Sequence, residues 1–130
     1  MAIVNGHPAI IPGPDEWLAR AFDAFPEGVR LLDLDYGVIW TNAAASALLG
    51  QSNAEMRGRR CFALKGRDEP CKTCGVRRVY QTGEETRIER YEEPLDCWLE
   101  NRVLPVRDET GALVGALEIF RKIEGPTAYR

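Results

Sequence analysis

Two long alternating stretches near the end of the chain, joined by a four-residue turn, constrain the fold more than any other feature. Cys97 to Val106 and Leu113 to Arg121 are rich in Val, Leu, Ile, Phe and Trp, and Asp108-Glu109-Thr110-Gly111 between them carries hairpin-turn chemistry. A two-stranded hairpin is not stable alone in water, so this one needs further antiparallel strands and a covering layer. Thr86 to Glu92 supplies a third strand, turning through Glu93-Pro94-Leu95-Asp96 into Cys97. Far upstream, Val29 to Leu34 and Val38 to Thr41 flank Asp35-Tyr36-Gly37 and read as another hairpin.

Short helices fill the interval. Asn42 starts one over Ala43 to Leu49, with Gly50 as its stop. Ser52-Asn53-Ala54-Glu55 is a capping box and opens a second, which ends at Gly58. Val76 to Tyr80 is a helical segment with Val76, Val79 and Tyr80 on one face, ended by Thr82-Gly83. Ahead of the first hairpin, Asp15 is the expected cap of a helix over Glu16 to Ala24. Trp17, Leu18, Ala21, Phe22 and Phe25 recur there at helical spacing, and Pro26-Glu27-Gly28 ends it. Strands at both ends with helices between predict the α+β class: one five-stranded antiparallel sheet, short helices on one face, and an N-terminal amphipathic helix. The chain then divides into a flexible arm (1–14, with Gly6, Pro8, Pro12, Gly13 and Pro14), the N-terminal helix (15–26), the main domain (27–124) and a tail (125–130).

The chain's 130 residues suffice for one hydrophobic core, and 45% hydrophobic with 28% charged residues is the balance of a soluble globular protein. A net charge of −3 gives no electrostatic case for nucleic acid or anionic membrane. No apolar run approaches the roughly 20 residues of a membrane span, and the first residues lack the pattern of a secretory signal. The expected location is therefore cytoplasmic, where reducing conditions argue against a permanent disulfide.

Three of the four cysteines, Cys61, Cys71 and Cys74, are spaced C-x9-C-x2-C. Two thiols three positions apart, on a turn opening a helix, converge on a metal, a cluster or each other. Gly66 and Asp68-Glu69-Pro70 let the intervening loop fold Cys61 back toward them. Zinc and an iron–sulfur cluster are the candidate cofactors, with Cys97 as the least certain fourth ligand. The lengths of the adjoining helix and strand place it about 10 Å beyond Cys74. Water or Asp68 is the alternative fourth ligand. A reversible Cys71–Cys74 disulfide, its thiolate favoured by a helix N-terminus and by Lys72, Arg77 and Arg78, is a further reading, and plain packing of small apolar thiols another.

Catalysis has little behind it. His7 is the sole imidazole, so no Ser–His–Asp set is possible, and neither phosphate-binding glycine motif is present. A thiol oxidoreductase on Cys71 and Cys74 is the one enzymatic reading with residues behind it, and it lacks the βαβ context. The expectation is a protein that is not an enzyme.

Gly28-Val29-Arg30-Leu31-Leu32-Asp33-Leu34-Asp35-Tyr36-Gly37-Val38-Ile39-Trp40-Thr41-Asn42 resembles the opening hairpin of the PAS sensory domain and the Asn that starts its first helix. Leu48-Leu49-Gly50 resembles the close of that helix, and Leu104-Pro105-Val106 through Gly115 resembles the closing hairpin. The resemblance implies a small cavity between sheet and helices. It also implies a bacterial signalling role: sensing a small ligand, a metal or cluster, or a redox state, and passing the change to an output domain or partner. A dimerisation domain with no ligand is the alternative. The cysteine triple resembles a subgroup of bacterial PAS domains with a C-x2-C at that place. The family's usual Asp-Ile-Thr-like junction is replaced by Arg121-Lys122-Ile123-Glu124, and Gly125-Pro126 stops an outgoing helix. The apolar face of residues 15–26 predicts a homodimer formed through that helix.

Overall fold

The computed structural model describes residues 13–127 in full and the backbone of 3–4 and 7–8. Ile3–Val4 (β1) pairs antiparallel with His7–Pro8 (β2), where the sequence predicts no regular structure. The overlooked signal is Asn5-Gly6, the dipeptide that most favours a two-residue hairpin. Helix α1 spans Pro14–Ala24, and its N-cap is Gly13 rather than Asp15. Proline fits the first helical position, where no amide hydrogen is needed, and that moves Asp15 and Glu16 into the first turn beside the positive end of the dipole.

The main sheet has five antiparallel strands: β3 (Gly28–Asp33), β4 (Val38–Thr41), β5 (Thr86–Glu92), β6 (Cys97–Arg107) and β7 (Leu113–Ile123). Their spatial order is β4-β3-β7-β6-β5, so the last strand in sequence lies at the centre. Close approach makes this possible at Gly115, where an added Cβ would stand 2.3 Å from the Leu32 carbonyl oxygen. The β3–β4 turn is tied by Asp33, whose Oδ1 accepts from the Asp35 and Gly37 amides at 2.9 and 2.8 Å.

Between the two groups of strands lie α2 (Ala43–Leu49), α3 (Asn53–Met56), a single 3-10 turn at Ala63–Lys65, and α4 (Gly75–Thr82). The caps read at Asn42, Gly50, Ser52 and Gly83 have their expected chemistry, while α3 ends at Met56 with Arg57 as its C-cap, before Gly58. Ser52 and Glu55 form a reciprocal capping box, and Gly50 and Gly83 end α2 and α4 in the left-handed conformation. Asn42 does more than cap. Its Oδ1 accepts from Ala45 N and Val29 N, and its Nδ2 donates to the Phe22 and Glu27 carbonyls. One fully buried amide therefore joins the end of α1, the start of β3 and the start of α2.

The core lies between the sheet and α3–α4: Leu32, Val38, Met56, Val76, Val79, Val103 and Ala116 are all buried. Each larger side chain contributes about 1.5–3 kcal/mol by leaving water. Tyr36 and Tyr80 close this layer edge to face at 5.4 Å, and Tyr80 donates its hydroxyl to the Asp33 carbonyl at 2.5 Å.

Candidate functional site

Along the covered face of the sheet, next to the apolar core, the buried side chains change from apolar to polar and charged. Arg30 on β3 pairs in register with Glu118 on β7, and Asn101 on β6 lies across from Phe120 on β7. All three are buried, with exposures of 7%, 3% and 6% for Arg30, Glu118 and Asn101. Burying one charge alone costs several kcal/mol, so the pair depends on mutual compensation. Arg30 Nε and Nη2 both stand 2.9 Å from Glu118 Oε1, and Asn101 Nδ2 donates to Glu118 Oε2 at 3.1 Å. The Arg30 guanidinium also lies 5.2 Å from the centre of the Phe120 ring.

These three residues form the floor of a narrow cavity of about 30 Å³. It meets an open cleft of about 440 Å³ at Arg30, Cys61 and Lys65, and the cleft is walled by Leu49, Leu64 and Leu95 with Gln51, Arg67 and Glu92. Ligand clefts commonly occupy about 300–1,000 Å³. The cleft falls in that range; the inner cavity alone has room for a water molecule.

Cys61, Cys71 and Cys74 all line the inner cavity. They do not form the metal cluster that the subgroup resemblance implies. Among the described residues no group of three or more His, Cys, Asp or Glu side chains could hold a metal ion. Two of the sulfurs have local work instead. Cys74 is the N-cap of α4, its Sγ accepting from Arg77 N at 3.4 Å, and both Cys61 and Cys74 pack against the core. Burial pushes the Cys61 thiol up to about 12, with the Glu118 carboxylate adding to it. Burial also raises the Cys74 thiol. Cys97 opens β6 opposite Glu92, away from this wall. All four cysteines are free thiols.

Sequence reasoning missed Arg30, Asn101 and Glu118. The signal was present: Arg30 interrupts Gly28-Val29-Arg30-Leu31-Leu32, and Glu118 interrupts Leu113-Val114-Gly115-Ala116-Leu117-Glu118-Ile119-Phe120. One opposite charge in each of two otherwise apolar strands is the pattern of a buried cross-strand pair.

The family model described as PAS fold matches residues 22–125, and the chain belongs to that family. No curated protein sequence matches it. Among solved structures, the PAS domain of a Colwellia psychrerythraea protein superposes with a TM-score of 0.61 at 21% identity, over 83% of this chain and 95% of that one. The PAS domain of BvgS from Bordetella pertussis gives 0.61 at 14%, over 90% and 91%. VqmA bound to DPO, a Vibrio cholerae protein, gives 0.64 at 20%, over 83% of this chain and 57% of that one. These likenesses concern the fold. No helix among the described residues is long and apolar enough to cross a membrane.

Proposed function

We propose that this PAS domain is a non-catalytic sensor that binds a small organic molecule in the cleft between sheet and helices. The observation that carries the reading is the buried Arg30–Glu118–Asn101 group lining the inner cavity, which meets a cleft of about 440 Å³ at Arg30. A dimerisation domain without a ligand has no use for a desolvated polar floor, which apolar residues would replace at no loss of stability. VqmA, a protein of the same fold, is described as bound to DPO, which supports a ligand-binding reading. The thiol readings, zinc, iron–sulfur cluster or a Cys71–Cys74 redox pair, have in their favour the shared wall of three sulfurs. Against them stand the capping role of Cys74 and the burial that keeps Cys61 protonated.

Arg30, Glu118 and Asn101 lie on three adjacent strands, β3, β7 and β6, with β7 at the centre of the sheet. A ligand that changes their hydrogen bonds acts directly on the central strand, and this is the route by which we infer that the change is passed to an output domain or partner protein. A second copy of the chain, joined through the exposed face of α1, is the assembly we infer for the working module.

A fragment screen followed by amide NMR on the full chain tests the ligand site. The expected result is that hits shift the amides of Leu49, Gln51, Leu64 and Leu95 together. Hits scattered over the surface, or none at millimolar concentration, would overturn the reading.

A further inference from the structure

Charge is unevenly placed along this chain. Residues 57–78 hold eight of its 17 Lys and Arg and only two of its 20 Asp and Glu. Part of that excess stands beside β5. An open groove of about 600 Å³ lies between α4 and β5, lined by Lys72, Arg77, Arg78 and Gln81 with Ile88 from the strand. Lys72, Arg77 and Arg78 are exposed, and none of them enters an ion pair among the described residues. The groove shares no residue with the walls of the ligand cleft, so it is a separate surface.

The two outer strands of the sheet are finished differently. The loop after α3 closes off β4: Gly58 N donates to the Val38 carbonyl at 2.8 Å, and Val38 N donates to the Arg59 carbonyl at 2.9 Å. β5 has β6 on one side and, among the described residues, no strand on the other. Such an edge presents backbone donors and acceptors that an incoming strand can pair. Charges also shield an edge from aggregation, and β5 already carries them in Arg87, Glu89, Arg90 and Glu92. Shielding does not call for unpaired cations on the neighbouring helix.

We propose that the open edge of β5 is the docking site for an extended acidic peptide of a partner protein. The peptide adds to the sheet as a further strand beside β5. Every second side chain, a carboxylate, then faces Lys72, Arg77 and Arg78, because side chains alternate across a strand. Glu84 and Glu93 flank β5 at its two ends, exposed and without an ion pair among the described residues. They repel a continuous polyanion, which favours a short acidic peptide over a nucleic-acid backbone.

The test titrates the ¹⁵N-labelled full chain at neutral pH with three probes of seven units, the length of β5. One is an acetylated, amidated peptide of alternating Thr and Glu, the second has Lys in place of Glu, and the third is a single-stranded oligothymidylate. The Thr/Glu peptide is expected to shift the amides of residues 86–92 together with those of Arg77, Arg78 and Gln81, with a Kd about tenfold or more below that of either other probe. Arg77→Glu with Arg78→Glu is expected to weaken it about tenfold or more. Two further Thr/Glu peptides carry N-methyl groups on all Glu or on all Thr amides, and one of them is expected to lose binding, since it cannot pair with an edge strand. Should the double variant not fold, these peptides on the native chain still decide. Retention by both N-methyl forms, equal binding of the Lys peptide, tighter binding of the oligothymidylate, indifference to the charge reversal, or no shift at millimolar peptide would each overturn the docking site.

Discussion

Asn42 and Cys61 show how much single side chains decide here. Asn42 makes four hydrogen bonds to three elements from a fully buried position, and Asn42→Ala leaves their backbone partners without a replacement. A loss of about 3–5 kcal/mol is expected in urea unfolding, more than the roughly 1 kcal/mol of a cap alone. A loss near 1 kcal/mol would reduce Asn42 to a cap. The Cys61 thiol, raised to about 12 by burial, stays protonated when folded where an unfolded thiol ionises near 9. Unfolding then releases a proton between those values, so stability contributed by Cys61 is present below pH 9 and is lost as pH rises toward 12. Urea unfolding at pH 8 and pH 10.5 is expected to show a steeper decline for the native chain than for Cys61→Ala. Parallel declines would mean that Cys61 titrates normally. The sequence shows the cysteine spacing but not which sulfur caps a helix and which faces the core, because burial depends on elements far away in the chain.

At the scale of elements, turns and caps were legible because their chemistry is local. The boundaries of β4 and β5, the capping box of α3 and the glycine stops of α2 and α4 lie where the residues predict. The order of strands was not legible, since it rests on contacts such as Arg30 with Glu118, 88 positions apart. Gly115 shows the physical basis of that order. Gly115→Ala sets a methyl 2.3 Å from the Leu32 carbonyl oxygen and must push β7 off β3. A loss of about 3 kcal/mol or more is expected, against less than about 0.5 for Gly125→Ala, which meets nothing. Similar small effects for both would mean that the central pairing yields easily. Helix α1 bears on assembly. Trp17, Leu18 and Phe25 remain exposed, while the end of the helix is held by Asn42 and by Asp23, whose Oδ1 accepts from Ala43 N. Trp17→Glu with Leu18→Glu therefore tests the homodimer better than deletion, which would strip partners from α2. Sedimentation is expected to show a dimer for the native chain and a monomer for the double variant. A native monomer would dispose of the interface.

For the whole molecule, the resemblance carried the fold, and the sequence drew attention to the cysteines of the inner cavity's wall but not to its charged residues. The cysteines stand out because they are rare and regularly spaced; Arg30, Asn101 and Glu118 become a group only when three strands bring them together. Glu118→Gln tests their mutual dependence, because it leaves the buried Arg30 charge uncompensated. A loss of about 3–5 kcal/mol is expected, and less than 1 would mean that the pair is effectively solvated. The most direct measurement for the ligand site is a crystal structure of the full chain soaked with a hit from the fragment screen. Density for the probe in the cleft walled by Leu49, Leu64 and Leu95 is the expected result. A cleft closed by Leu49, Leu64 and Leu95, with the probe bound elsewhere or not at all, would contradict it.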